Sequence, residues 1–244
     1  MKNINRLLAT VSVALVLQAC DSTDPVVTAP PIPPPTPAMA SFDVTAINLT
    51  NAQPLSPITV IAHNDAYSVF AVGAAATAGL EQMAEGGDNS ALIAEADADA
   101  NNVYATGSGA GPIGPAGAET VSITMLAGNV PELEISIATM LVNTNDAFSA
   151  LNGFDASSMA VGDSVTINTI AYDAGTEADT EAAAEIPGPA GGGEGFNAAR
   201  NDDADRVSMH SGIVSQDDGF ATSDLTEQHR FDNPVMRVRI ERTQ

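Results

Sequence analysis

The chain has 244 residues and a formal net charge of −23, a length that suits one folded domain with appendages. Its 31 acidic side chains against eight basic ones give a surface that repels phosphate backbones, which argues against nucleic acid as a partner. Apolar residues make up 44% of the chain, which is enough to form a packed core. The only lysine is Lys2, so lysine-based catalysis is excluded from the folded part.

The first twenty residues have the pattern of a bacterial export signal. Lys2 and Arg6 precede an apolar stretch that runs to Leu17, too short for a membrane-spanning helix and typical of a signal-peptide core. The tetrapeptide that ends at Cys20 resembles a lipobox, whose cysteine carries a lipid anchor after cleavage. We predict a signal peptide over residues 1–19 and lipidation of Cys20, hence a location in the cell envelope, at the inner or outer membrane, or outside the cell. Ordinary cleavage that leaves a free thiol is the alternative.

Residues 20–40 form a proline-rich segment. Seven of the 15 prolines lie between positions 25 and 37, and such a run favours extended polyproline II structure. We therefore predict a tether over residues 20–40, followed by one domain over residues 41–244.

After residue 41 the pattern indicates short strands, two helices and glycine-rich loops. Where apolar and polar residues alternate with a period of two, we predict strands with one buried face. In chain order the predicted elements are a strand at Ile58–Ala62, helices at Thr77–Glu85 and Asn89–Ala96, a loop at 107–117, strands at Glu119–Leu126, Glu132–Met140 and Ser164–Ile170, a loop at 187–195, and a strand at Pro234–Glu241. This pattern predicts an all-β fold, an antiparallel β-sandwich with one or two short helices in its loops.

Two predicted loops carry acidic residues at the ends of strands. Asp146 follows one strand, and Asp173 and Glu177 follow the next. Gly175 lets the chain turn tightly, so the carboxylates of Asp173 and Glu177 can converge with backbone carbonyls. Asp146 adds a third carboxylate if the two loops lie side by side. Oxygen ligands without His or Cys favour Ca²⁺ over zinc, and a plain solvated turn is the alternative.

The only histidines are His63, His210 and His229. His63 or His210 with an acidic partner would supply the ingredients of a hydrolase. A hydrogen-bonded structural role is the simpler interpretation, because no sequence motif places a nucleophile beside either one. A hydrolase stays open as an alternative function.

Five segments resemble the spondin N-terminal domain family, which includes F-spondin, mindin and bacterial spondin-domain proteins. Residues 137–146 resemble the family's S-F/M-x-T-M…P-S-P-D segment, and residues 173–177 read D-A-G-T-E where the family has D-A-G-T-D. The remaining matches, in the family's order, are residues 61–64 and 76–85 and the closing residues 235–242, which fit together with Ile186-Pro187.

The resemblance implies a β-sandwich similar to C2 domains, with one Ca²⁺ held by loops at one end. Carried over by position, Asp146, Asp173 and Glu177 would be the side-chain ligands, with a backbone carbonyl from the turn between the last two. Glu177 stands where the family has an aspartate, and Asn143 where it has a proline. The ligand shell therefore departs from the family pattern at Glu177.

Members of this family are extracellular matrix or cell-surface proteins that act in adhesion and recognition. We therefore expect a non-enzymatic, calcium-binding adhesion or recognition module, displayed as a lipoprotein, that binds an extracellular glycan or protein. The acidic surface suits a cationic or neutral ligand better than an anionic one. The alternatives are the hydrolase and a passive structural lipoprotein of the envelope.

Overall fold

The computed structural model of the chain describes residues 35–198 and 204–244. The predicted signal peptide, Cys20 and most of the predicted tether lie outside these residues. The folded unit begins at Pro37, and its first strand begins at Met39, two residues before the predicted start of the domain. The strand begins there because Ala40 and Phe42 already point into the core, where both are fully buried.

The fold is an antiparallel β-sheet of nine strands, and every strand pairing within it is antiparallel. The strand order is β3-β2-β5-β6-β7-β9-β1-β4, with β8 paired to β7. The strands are β1 Met39–Asn48, β2 Thr59–His63, β3 Val103–Ser108, β4 Ala118–Leu126, β5 Glu134–Met140, β6 Ala147–Asp155, β7 Ser164–Asp173, β8 Ser208–Met209 and β9 Met236–Arg242.

One long strand joins the two halves of the sheet. The first part of β7, up to Thr169, pairs with β9, and its last residues, from Ile170, pair with β6. The sheet curls so that its end strands, β3 and β4, lie against each other. They are so close that a Cβ added at Gly107 of β3 would come within 2.7 Å of Val121 of β4. The result is a nearly closed, barrel-like sheet. The predicted all-β antiparallel architecture is confirmed, and its finer description as a C2-like sandwich stays a prediction.

Two short helices connect β2 to β3. Helix α1, Ala78–Gly86, begins where the Thr77 side chain accepts a hydrogen bond from the Leu80 N–H. It ends at Gly87, whose φ of +70° is readily adopted only by glycine. Helix α2 covers Ser90–Ala98. Both helices lie within two residues of their predicted bounds, and among the described residues no helix is long and apolar enough to cross a membrane.

The sheet is covered on both faces where the helices pack. The main core lies inside the sheet and includes Phe42, Ile135 and Ile137. A second core lies between the helices and the outer face of the sheet, where Leu80 of α1 belongs to the same buried cluster as Met140 of β5. For this reason β5 is buried on both faces from Ile135 to Met140, whereas the alternating pattern predicted only one buried face.

The predicted strand at Glu132–Met140 is wrong at its start. Residues 127–132 form a 3₁₀ turn that contains Pro131, and the strand begins only at Glu134. Proline has no N–H to donate to a sheet, so the ladder cannot extend back through it. Similarly, the predicted loop at 107–117 starts slightly later, because β3 continues through Ser108.

Candidate functional site

The two acidic loops meet at one end of the sheet. Ala147 is the first residue of β6, Asp173 is the last residue of β7, and the two are paired in the antiparallel ladder. Asp146, one residue before the pair, therefore lies against the turn that follows it. The Ala174 N–H donates to the Asp146 carbonyl oxygen at 3.4 Å. Strand pairing alone thus places Asp146 beside the turn that carries Asp173 and Glu177.

The side chain of Asp146 is fully buried at this junction. Its Oδ2 accepts hydrogen bonds from the backbone N–H groups of Thr176, at 2.8 Å, and Glu177, at 3.1 Å. The hydroxyl of Thr176 lies 3.3 Å from the same oxygen. The other oxygen, Oδ1, is buried and has no hydrogen-bond partner among the described residues. A buried carboxylate oxygen without a donor is costly, which marks this position as a place for a cation or a proton.

The charges around Asp146 raise the cost of its anionic form. Burial, together with the negative charges of Asp173 and Asp179, raises the pKa of Asp146 to about 7, although the N–H groups of Thr176 and Glu177 act to lower it. The negative charges of these neighbouring carboxylates repel that of Asp146. A bound divalent cation would reverse this effect.

The turn after β7 is tightly constrained. The Gly175 N–H donates to Asp173 Oδ1 at 2.6 Å, and Gly175 itself has φ +71°. A Cβ at this position would collide with the backbone of Arg206, so only glycine fits. Glu177, at the end of the turn, is 4% exposed. The turn therefore holds the predicted ligands Asp173 and Glu177 in a rigid backbone frame.

Two further residues, Asp179 and His210, belong to the charged cluster and were not predicted as metal ligands. Asp179 lies with its Oδ1 3.7 Å from Nε2 of His210. His210 is 4% exposed, and its Nδ1 accepts a hydrogen bond from the Gly212 N–H at 2.9 Å. Burial lowers the pKa of His210, but Asp179 and the more distant Asp173 raise it, and the net shift is upward. Asp179 and His210 thus extend the polar cluster beside the acidic loops.

Neutral amide side chains tie the loops together. Asn145, next to Asp146, accepts a hydrogen bond from the Glu181 N–H at 3.1 Å. Asn143 accepts one from the Ala190 N–H at 2.9 Å. Both asparagines are almost completely buried. Asn143, which stands where the family has a proline, therefore stabilises the loop arrangement in another way.

His63 lies apart from this cluster and is fully buried. Its Nδ1 lies 2.7 Å from the carbonyl of Asn64, and its Nε2 lies 2.7 Å from the hydroxyl of Ser136. Burial lowers the pKa of His63. Both ring nitrogens are engaged without a hydrogen bond to an acidic side chain, so the geometry favours the structural role over the catalytic one.

The donor set suits a hard cation, although it is not fully assembled. Across residues 35–198 and 204–244, no three His, Cys, Asp or Glu side chains are grouped as a ready-made metal site. The oxygens of Asp146, Asp173 and Glu177 nevertheless occupy adjacent loops, and Oδ1 of Asp146 is the donor that is left over. Carboxylate and carbonyl oxygens are the ligands that Ca²⁺ prefers. These residues fit a calcium ion in the chemistry of their donor atoms.

The fold and the loops define a class: an all-β antiparallel domain with acidic loops gathered at one end of its sheet. A sequence model of the family described as Spondin_N matches residues 49–186, which is more than half of the chain. The chain therefore belongs to the spondin N-terminal domain family, and the predicted membership is confirmed. A search among curated proteins finds no match. The matched range contains Asp146, Asp173 and Glu177 and ends before His210.

Proposed function

We propose that this protein is a calcium-binding, non-enzymatic recognition module of the cell envelope. Family membership supports an extracellular recognition role. The observation that carries the calcium proposal is the buried Oδ1 of Asp146, which lacks a hydrogen-bond partner among the described residues while two other aspartates raise the pKa of its carboxyl. The loops would sit at the tip of a C2-like sandwich, as the resemblance implies.

Calcium would be held by Asp146, Asp173 and Glu177, with a backbone carbonyl of the turn between the last two. The ion supplies positive charge where three carboxylates otherwise repel one another. Its main effect is structural, because it would join the loop before β6 to the turn after β7. Recognition of a ligand at this end of the sheet would then depend on calcium.

Isothermal titration of the purified domain with Ca²⁺ tests the metal proposal. We expect one site with a Kd of about 10⁻⁴–10⁻³ M, the range of extracellular modules, and loss of binding in Glu177→Gln. Glu132→Gln is the matched control, because Glu132 is exposed and precedes β5, whereas the loop that carries Asp146 follows the other end of that strand. Equal calcium affinity of wild type and Glu177→Gln would show that Glu177 is not a calcium ligand.

Display on the envelope is the second part of the proposal. The lipobox-like tetrapeptide supports lipidation of Cys20, and the following prolines support an extended tether. Export and metabolic labelling with a fatty acid test this part: the wild-type chain should take up the label, and Cys20→Ser should not. An unlabelled wild-type chain with a free thiol at its N-terminus would overturn it.

The ligand is proposed to be an extracellular glycan or protein. Screening of the domain on glycan and matrix-protein arrays, with calcium and with chelator, tests this role, and we expect binding only with calcium. Binding to nothing, together with envelope defects in a deletion strain, would indicate the passive structural role. Substrate turnover that is lost in His210→Ala would indicate the hydrolase.

A further inference from the structure

A small pocket lies beside the acidic loops, on the segment that follows them. Its volume is about 240 Å³, and it is lined by Asp179, Glu181, Ser211, Gly212, Val214 and Phe220. Most of this segment lies beyond the matched range 49–186, so the pocket is not built from the family's shared region alone. Its volume is below the range for drug-sized ligands and suits a single side chain or small amine.

The pocket combines two carboxylates with an apolar rim. Phe220 is 36% exposed and Val214 is 50% exposed, although both are large apolar side chains. None of the lysines or arginines that the structure describes lines the pocket. Within the described residues, Asp179 and Glu181 form no ion pair with an arginine. A ligand with positive charge and a hydrocarbon part would complement both features.

Glu181 is a buried carboxylate in the wall of this pocket. It is 4% exposed, and its two carboxylate oxygens accept hydrogen bonds only from neutral groups, the Val214 N–H at 2.6 Å and the Ser223 hydroxyl at 3.1 Å. Its backbone is held at φ +54°, a conformation that costs energy for a residue with a side chain. Buried carboxylates are normally paired with a cation.

A second buried polar atom lies next to Asp179, one of the residues that line the pocket. Nε2 of His210 is buried without a hydrogen-bond partner among the described residues and lies 3.7 Å from Oδ1 of Asp179. Because Nδ1 accepts from the Gly212 N–H, the neutral ring carries its proton on Nε2. That proton faces Asp179 at a distance too long for a hydrogen bond, so the Asp179 carboxylate keeps its capacity to accept from a ligand. The chain around the pocket is also packed, because Ile186, Ile213 and Leu225 form a small buried hydrophobic cluster in this segment.

We propose that this pocket binds a primary ammonium group on an aliphatic stem, such as a lysine side chain or an alkylamine. The ammonium would donate hydrogen bonds to Asp179 and Glu181, and the stem would lie against Val214 and Phe220. None of the three proposed calcium ligands lines this pocket, so the inference goes beyond the proposed function and does not depend on it.

NMR titration of the full domain with n-butylammonium, in calcium and in chelator, tests the proposal. We expect saturable shifts at the Gly212 and Val214 amides in both conditions, and none with n-butanol, which has the same stem without charge. Shifts centred on the Thr176 amide, or their disappearance in calcium, would place the amine in the metal loops and overturn the proposal. A calcium titration of the same sample reports separately on the proposed function.

Two variants with matched controls locate the site. Phe220→Ala should weaken binding about two- to fivefold, whereas Phe196→Ala, which removes a phenylalanine of similar exposure elsewhere, should not. Asp179→Asn should weaken binding about fivefold, and the control Glu132→Gln should leave it unchanged. Equal weakening in Asp179→Asn and Glu132→Gln would mean that the amine senses only net charge, which would contradict a built site.

Discussion

The backbone N–H of Thr176 donates a 2.8 Å hydrogen bond to Oδ2 of Asp146, across 30 residues of sequence. This bond fixes the loop before β6 on the turn after β7. It uses one carboxylate oxygen and leaves the other, Oδ1, buried without a partner among the described residues. The same contact therefore organises the loops and creates the position at which a cation is favoured.

The effect of Asp146→Asn on the stability of the fold should change sign when calcium is removed. In chelator at pH 8 the variant should be at least as stable as wild type, because the amide oxygen can still accept from Thr176 and Glu177 and no buried charge remains. In calcium it should be less stable than wild type, because a ligand is lost. Thermal unfolding of both proteins in both buffers checks this. A variant that is less stable by the same amount in both buffers would show that Asp146 is purely structural.

The raised pKa of Asp146 predicts a pH dependence without metal. The group titrates at 3.8 when unperturbed and at about 7 when folded. Below pH 3.8 the carboxyl is neutral in both states. As pH rises from 3.8 to 7 the unfolded chain ionises first, so this group destabilises the fold by about 1.4 kcal/mol per unit of pKa shift.

Chemical denaturation in chelator at several pH values between 4 and 8 measures this contribution. We expect the free energy of unfolding of wild type to fall relative to that of Asp146→Asn as pH rises. Calcium should remove the difference in slope, because the ion stabilises the carboxylate. Parallel pH profiles of the two proteins in chelator would refute the assignment of a raised pKa to Asp146.

Gly175→Ala should disrupt the metal loop, and the chain contains a matched control. Gly175 and Gly192 have the same φ of +71°, but a Cβ at Gly175 meets the Arg206 backbone, whereas a Cβ at Gly192 meets nothing within 4 Å. Gly192→Ala should cost about 1–2 kcal/mol, the conformational penalty alone. Gly175→Ala should cost more and also weaken calcium binding. Urea denaturation compares them, and equal losses would show that the Arg206 contact is unimportant.

Ser136→Ala should destabilise the sheet, because Ser136 supports His63. The Ser136 hydroxyl lies 2.7 Å from His63 Nε2 and accepts from the Gly153 N–H at 2.8 Å. Its removal leaves buried groups unpaired, at a cost of about 1–3 kcal/mol. Ser122→Ala is the control, since Ser122 is exposed and should cost about 0.5 kcal/mol or less. Similar urea midpoints for the two variants would contradict the structural role of His63.

The alternation of apolar and polar residues predicted several strands that have one exposed face, but it did not identify β1, which also has one buried face. β4 alternates buried and exposed residues along its whole length, and its predicted bounds are within one residue of those observed. β6 escaped prediction because its first four residues are all buried, between the sheet interior and the second core, so no period of two exists. The same two-sided burial made β5 more buried than predicted.

The residues of the candidate site could be predicted from the sequence only where they follow predicted strands. Asp146 and Asp173 could be placed because each comes at a strand end. Asp179 could not, because it lies in a polar segment without any periodic pattern. The pairing of His210 with Asp179 depends on β8, a strand of two residues that pairs with the end of β7. Such long-range contacts are set by tertiary structure and leave no local signal.

Differential scanning calorimetry of wild type and Asp173→Asn, in Ca²⁺, in Mg²⁺ at equal ionic strength and in chelator, tests the calcium assignment most directly. Stability should rise only in Ca²⁺, by about 2.7 kcal/mol at 100 times Kd, and Asp173→Asn should lose most of that rise. The Mg²⁺ sample corrects for general screening of the acidic surface. Identical Tm values of the two proteins in Ca²⁺, each unchanged from its value in chelator, would contradict the assignment of the metal site to these loops.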